Sequence, residues 1–248
     1  MIQVIGRAFG VLERLSGQGP SSVKDLAEAT GLKKSTLCNI LKTMVEMGYV
    51  VKSERGRYEL GEKLAQMAAP QRQQEALVRL GREAVVRLAD ETGEAALIAV
   101  LREGERQILA EARSRQGLIV NSAVMGRSVF ASATGWVLLA QLEEDELKQL
   151  VTSRNLASAG WEGSYRELKT MLAKVREEGM GVYRGGDGQA VGLGVPVLGK
   201  EGRVEAALGV YLPSVRFRGA HQKQVIGLLK STAREMSSRM SAEAGQSN

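Results

Sequence analysis

The sequence predicts an α+β protein in two parts, a small helical part closed by a hairpin and a larger part built on an antiparallel sheet. Three observations carry that reading. Apolar residues recur at helical spacing in three short N-terminal runs and then gather in a tight hairpin. A stretch with no apolar stripe, Gly61 to Gln74, comes next. Beyond it, pairs of strand-like runs joined by glycine turns are interrupted by helical runs, the pattern of an antiparallel sheet flanked by helices.

The first element places Ile5, Ala8, Phe9, Leu12 and Leu15 on one helical face and ends before Gly17-Gln18-Gly19-Pro20. Ser22, three residues before Asp25, reads as the N-cap of a short second helix, Val23 to Ala29. Thr30-Gly31-Leu32 turns the chain, because glycine accepts the positive φ that ends a helix, and a third helix starts at Lys33 or Lys34. Its packing face is Leu37, Ile40, Leu41, Met44 and Val45; Ser35, Thr36, Asn39, Lys42 and Thr43 lie away from it. Gly48 ends this helix, and Tyr49 to Val51 and Arg57 to Leu60 flank the turn Glu54-Arg55-Gly56 as a wing.

With Pro70 and several glutamines, Gly61 to Gln74 is the expected hinge. A long helix continues through Leu77, Leu80, Val85, Val86 and Leu88 to Glu91, before Gly93. Strands are expected at Ala95 to Leu101, Gln107 to Ala112, Val191 to Leu198 and Val204 to Leu212. Helices are expected at Ala133 to Gln141, Ser164 to Glu178 and Gly219 to Met240, and the polar tail after Ser241 is expected to be disordered.

Composition removes several function classes. A chain of 248 residues with 44% apolar and 25% charged residues has enough for two folded cores. No apolar run approaches the roughly 18 residues that span a bilayer, and Met1 to Arg14 lacks a signal-peptide pattern, so a cytoplasmic protein with no membrane partner is expected. One cysteine, Cys38, and one histidine, His221, leave no disulfide and no His/Cys metal cluster, and no cofactor or metal is expected. The net charge of +6 and pI near 9.5 suit a polyanion, although a solvated surface gives the same balance.

Catalytic patterns fail on inspection. Gly194 to Lys200 has the spacing of a phosphate loop, but Glu201 stands where Ser or Thr should hold the metal, and the segment reads as strand and turn. The glycines between 179 and 194 never form G-x-G-x-x-G. His221 opens the last helix without a G-x-S-x-G partner and reads as solvated or capping. No enzyme is expected.

A recognition helix needs one face that packs and another that can donate and accept at base edges. Lys34, Ser35, Thr36, Asn39, Lys42 and Thr43 meet the second need: Asn39 can pair with adenine, and Lys34 and Lys42 can neutralise phosphates. Cys38 shares this helix, Ser22 opens the one before it, and Arg55 and Arg57 sit on the wing within reach of flanking backbone. These ten residues are the candidate contacts to a double-stranded DNA operator. The same periodicity also fits an ordinary amphipathic helix, and a sensor or interaction module that touches protein remains the alternative.

At this point the residues resemble a family. Asp25-Leu26-Ala27, Thr30-Gly31-Leu32, Lys34-Ser35-Thr36, Gly48-Tyr49-Val50 and Tyr58-Glu59-Leu60-Gly61 resemble the N-terminal domain of IclR-type regulators. Leu88 to Glu94, Ala133-Thr134-Gly135 with Leu138-Leu139-Ala140, and Val195-Pro196-Val197 resemble their effector domain, so that nearly the whole chain is covered. The resemblance implies a winged helix-turn-helix over residues 1–61, a linker helix over 62–79, a GAF-like effector domain over 80–241 and a tail over 242–248. It implies a ligand-responsive regulator, a repressor of a catabolic operon, working as a homodimer or dimer of dimers held by the linker helix.

The same resemblance implies a small-molecule effector. Its candidate pocket comprises Met125, Gly126, Ala133, Gly135, Tyr183, Asp187, Gly192, Gly209 and Tyr211, with Asp187 and Arg184 as the charges near enough to select a charged ligand. In relatives that bind small carboxylates, a cysteine and two serines match Gly192, Gly209 and Tyr211. Losing those groups and gaining a tyrosine implies a reshaped cavity and a different ligand.

Overall fold

The computed structural model describes residues 2–114, 116, 128–154, 156, 160–185 and 188–245. They form two compact units, one ending at Gln73 and the other running from Gln74 to Gly245.

In the first unit, helices α1 (Gln3–Gln18), α2 (Val23–Thr30) and α3 (Lys34–Glu46) precede a hairpin of β1 (Val50–Lys52) and β2 (Tyr58–Leu60). The Ser22 hydroxyl accepts from the Asp25 N–H while the Asp25 carboxylate accepts from the Ser22 N–H, the reciprocal cap expected from the spacing. Gly31 then takes φ 68°, where a side chain would be strained. Val11, Leu15, Leu26, Leu37, Ile40, Leu41, Met44 and Val50 make the core. Ser21 exchanges backbone hydrogen bonds of 2.9 and 2.8 Å with Tyr58, tying the start of α2 to the hairpin. Gly61 closes the unit by donating to the Tyr49 carbonyl at 2.8 Å; a Cβ there would stand 2.2 Å from the Gly48 oxygen.

One expectation changes here. Ile5 and Phe9 are exposed, and α1 packs through Val11 and Leu15 with Ala8 and Leu12 beside them. Periodicity reports an apolar face, and α1 has more apolar surface than this core covers. The stretch expected as a hinge and linker helix lies on α4, which runs from Glu62 to Thr92 through Pro70, and the division between the units at Gln73 falls within it.

The second unit is a five-stranded antiparallel sheet ordered β4-β3-β7-β6-β5. Its strands are β3 (Ala95–Arg102), β4 (Glu105–Ala112), β5 (Gly181–Gly185), β6 (Ala190–Leu198) and β7 (Val204–Pro213). Alternation divides the side chains between two cores. Ala96, Ile98, Val100, Val191, Leu193, Val195, Leu208, Val210 and Leu212 face α4 and α8 (Gly219–Gly245). Ala95, Leu97, Ala99, Ala190, Ala207 and Tyr211 face α5 (Ala133–Leu139) and α7 (Tyr165–Glu178), with Leu147 of α6 (Glu144–Thr152) in the same core.

Helix α6 and strand β5 were not anticipated. The acid-rich start of α6 hides its stripe, and the glycines of β5 read as loop. Helix α8 continues to Gly245, so residues 242–245 extend it and are not the expected loose tail.

Glycine lets α5 lie close on the sheet. A Cβ at Gly181 would be 2.6 Å from the Ala133 oxygen, one at Gly194 2.8 Å from the Thr134 nitrogen, and one at Gly209 2.6 Å from Thr134 Cγ2.

Candidate nucleic-acid interface and effector cleft

On α3 the packing side chains Leu37, Ile40, Leu41 and Met44 are buried, and Lys34, Ser35, Cys38, Asn39, Lys42 and Thr43 stand exposed on the other side. Thr36 is half-buried at the margin. Lys42 pairs loosely with Glu46 at 3.9 Å, one turn away, an exposed contact that phosphate can replace. The Thr43 hydroxyl donates to the Asn39 carbonyl at 3.1 Å, leaving the Asn39 side-chain amide out of that bond.

Arg55 is exposed at the hairpin turn. Arg57 is exposed as well, and its guanidinium donates to the Pro20 carbonyl through Nε at 3.0 Å and through Nη2. It braces the wing against the chain before α2. Ser22 is engaged in its cap, and its hydroxyl also donates to Asp25 at 2.8 Å.

The sheet unit carries a cleft of about 330 Å³ between β4 and the start of α5. Of the candidate pocket residues, Ala133, Gly192, Gly209 and Tyr211 line it. Gly135 and Tyr183 do not. A Cβ at Gly135 would lie 2.1 Å from the Val129 oxygen, and the Tyr183 ring packs edge-on against Trp136 at 5.4 Å. Met125, Gly126 and Asp187 lie outside the described residues. Arg184 is exposed on β5 one residue out of step with Tyr183, so strand alternation turns it to the α8 side.

Among the described residues, the charges that line the cleft are Arg106 and Glu111, which the sequence reading overlooked. Arg106 is half-buried and donates through Nη1 to the Thr134 hydroxyl at 3.2 Å. Burial lowers its guanidinium pKa and the nearby Glu111 carboxylate raises it; an arginine stays protonated through such shifts. The buried Tyr211 hydroxyl donates to Glu111 Oε1. Burial, then that hydrogen bond, holds the phenol well above the ordinary tyrosine pKa, so it remains neutral.

A register shift explains why these groups meet. Straight alternation along β4 would align Ala110 with Arg106 and Ile108. The pairing steps from Ile98↔Ala110 to Ala99↔Ile108, which leaves Leu109 as an extra residue and sets Glu111 opposite Leu97 on the cleft side. Tyr211 arrives from β7, where Ala95 is its partner.

Away from the cleft, Glu94 is fully buried. It accepts from Arg216 through Nε at 2.6 Å and Nη2 at 2.5 Å, and lies 2.9 Å from His221 Nε2. The lone histidine therefore belongs to a polar cluster around buried Glu94 that joins the α4–β3 junction to the start of α8, and is not simply solvated.

A helix-turn-helix with a wing, followed by a sheet domain with a polar cleft, defines a DNA-binding regulator of transcription with an effector domain. The chain belongs to the IclR family: the bacterial transcriptional regulator IclR C-terminal model matches residues 73–238 and the IclR helix-turn-helix model residues 4–54. It is 28% identical to the HTH-type transcriptional regulator KdgR of Escherichia coli, over 94% of this chain and 91% of that one. It is 25% identical to the transcriptional repressor IclR of the same organism, over 72% and 68%. Among solved structures, Thermotoga maritima IclR superposes with a TM-score of 0.58 at 22% identity, covering 97% of this chain and 99% of that one. An IclR homolog complexed with 4-hydroxybenzoate, from Microbacterium hydrocarbonoxydans, superposes at 0.54 and 22% identity, over 96% and 98%. KdgR and IclR are named as transcriptional regulators, a family not known to be enzymatic. Among the described residues no helix is long and apolar enough to cross a membrane.

Proposed function

We propose that this regulator is a cytoplasmic repressor of a catabolic operon, that α3 reads its operator, and that a small molecule in the β4–α5 cleft adjusts the affinity. The observation that carries the reading is α3 itself, with four buried apolar residues on one side and an exposed row of amide, hydroxyl and lysine groups on the other. Ser35, Asn39 and Lys42 would meet base edges and phosphates, with Arg55 on the flanking backbone. Repression rests on relatives such as the repressor IclR.

One such helix reads too few base pairs for a unique site, so we infer a homodimer, or a dimer of dimers, on a two-fold operator. The exposed Ile5 and Phe9 on α1, with Ile2 just before it, and Met67 on α4 support pairing of copies through these helices.

The test is selection of bound genomic DNA by the purified protein, followed by mobility shift of the selected site. Asn39→Ala should relax preference at one base position by about 1 to 3 kcal/mol, while Lys42→Ala should weaken all sequences alike and flatten the salt dependence. If Asn39→Ala leaves base preference unchanged, α3 is not the reading helix. If no DNA is selected, the helix-turn-helix serves a protein partner.

A further inference from the structure

We propose that Lys63, in the first turn of α4, is a positioning residue for operator reading: it fastens the C-terminal end of α3 and so limits how far that helix can roll. The proposal rests on the reading that α3 contacts the bases, and it adds a residue that touches no base itself.

The demand for a fastening comes from how α3 is held. Leu37, Ile40, Leu41 and Met44 bury one side of it. Apolar burial is non-directional, so it resists lifting the helix from its core more than rolling the helix upon it. Rolling matters on the exposed side. A helix with its side chains is about 10 to 12 Å across, so a roll of about 10° carries the end of Asn39 roughly 1 Å. That exceeds the window of roughly 0.5 Å within which an N–H···O distance is good. A two-bond contact to a base is then lost without any unfolding.

Directional bonds supply what apolar packing does not, and α3 has few of its own beyond its backbone ladder. Its N-cap residue, Lys33, makes no side-chain cap, and its last turn holds no basic residue to face the carbonyls left over there. Lys63 brings that cation from α4. Its Nζ donates to the Met47 carbonyl at 3.1 Å, and the same ammonium lies 4.9 Å from the centroid of the Tyr49 ring. Met47 is the C-cap of α3, and Tyr49 leads into β1. One side chain therefore grips both the helix end and the chain that leaves it.

The backbone around it is shaped to admit the lysine. Gly48 takes φ 80°, which puts its N–H on the Val45 carbonyl at 3.0 Å and returns the Tyr49 N–H to the Met44 carbonyl at 2.9 Å. A Cβ on Gly48 would stand 3.8 Å from Lys63 Cδ, so the lysine stem lies along this turn. Gly61 sets the approach by donating to the Tyr49 carbonyl, and α4 begins one residue later.

A lysine beside a reading helix has a rival use, a direct bond to phosphate. The two uses act differently on DNA binding. A phosphate contact strengthens all sequences and steepens the salt dependence, whereas a fastening strengthens only the complex in which bases are read. The carbonyl and the ring already engage the Lys63 ammonium, which favours the fastening.

Mobility shift with the full chain tests the proposal, using the operator selected from genomic DNA and a scrambled duplex of equal length. Lys63→Met keeps most of the stem and removes the charge. It should weaken operator binding about fivefold or more, leave the scrambled duplex within about twofold, and leave the slope of log affinity against log salt unchanged. Lys63→Arg, which can still reach the carbonyl and lie over the ring, should stay within about twofold of wild type on both duplexes. In a Tyr49→Leu background Lys63→Met should cost less than it does alone, because ring and ammonium act as a pair. Lys63 is exposed, so melting of Lys63→Met should match wild type; Lys63→Gln, also uncharged, decides the matter if it does not. Equal losses on both duplexes, with the slope reduced by about one, would assign Lys63 to a phosphate and overturn the proposal. Operator binding unchanged by loss of the charge would overturn it too. Asn39→Ala in the same assay keeps the two claims apart. If it leaves base preference unchanged, the reading of α3 fails and the fastening falls with it; if it relaxes that preference while the uncharged Lys63 variants bind as wild type, the fastening alone fails.

Discussion

A buried carboxylate at residue 94 is tolerated only because its partners are in place. Glu94 sits in the interior with the Arg216 fork on both oxygens and His221 at 2.9 Å. Removing one partner of a buried pair leaves an uncompensated charge, which costs far more than the pair itself is worth. Arg216→Ala should therefore lower unfolding free energy by about 3 to 5 kcal/mol. Arg87 also makes a close contact, 2.8 Å to Glu235, but both side chains are more than two-fifths exposed; water screens such a pair, and Arg87→Ala should cost less than about 1 kcal/mol. Urea unfolding of the two variants checks the contrast, and equal losses would mean that burial is not what matters at Glu94.

Among the elements, α5 is the one whose seating controls the cleft, since Ala133 and Thr134 are both lining residues and the points where it meets Gly181, Gly194 and Gly209. Gly194→Ala puts a methyl 2.8 Å from three backbone atoms of Ala133 and Thr134, none of which can rotate aside. It should destabilise the sheet unit by about 1 to 3 kcal/mol through overpacking and weaken effector binding, while operator binding without effector is retained. Thermal melting and calorimetry would check it; unaltered ligand affinity would show that α5 does not shape the site.

Helix α2 carries a pH dependence. The Ser22 backbone N–H, then its hydroxyl, hold the Asp25 carboxyl below its ordinary value of 3.8. A carboxylate whose pKa is depressed by folding stabilises the fold above the unfolded value and loses that contribution as pH falls through the folded one. Asp25→Asn should thus shift the urea midpoint at neutral pH, and the difference from wild type should shrink as pH drops below 3.8. A difference that persists unchanged in acid would assign the effect to packing.

At the scale of the whole molecule, the prediction concerns assembly. Ile5 and Phe9 are 51 and 61% exposed on α1, and Ile2, just before the helix, is 66% exposed, an apolar patch of the kind that marks an interface. Light scattering at micromolar concentration should give at least a dimer, with or without operator. Phe9→Glu should weaken that assembly and, by uncoupling two reading helices, reduce operator affinity steeply while leaving the melting of the monomer near wild type. A wild-type chain that is monomeric on its operator would sink the dimer proposal.

The N-terminal unit was legible in the amino-acid order because its signals are local. Ser22 and Asp25, Gly31, the Leu37 to Met44 stripe and the turn at Gly56 each act within a few residues, through caps, positive φ and helical period. Four long strands of the sheet were legible for the same reason. The cleft was only partly so. Ala133, Gly192, Gly209 and Tyr211 were anticipated through family resemblance, while Arg106 and Glu111 looked like ordinary surface charges of a hairpin. Their role depends on long-range pairing: a register shift turns Glu111 to the cleft side, and β7 brings Tyr211 to it from 100 residues away. Gly209 lines the cleft and also leaves room for Thr134, whose Cγ2 a Cβ there would meet at 2.6 Å. Period and capping, which act between near neighbours, determined the elements and their apolar faces; what covers each face, and which distant charges share a cavity, were decided by tertiary packing alone, because close approach across a sheet leaves no mark in local order.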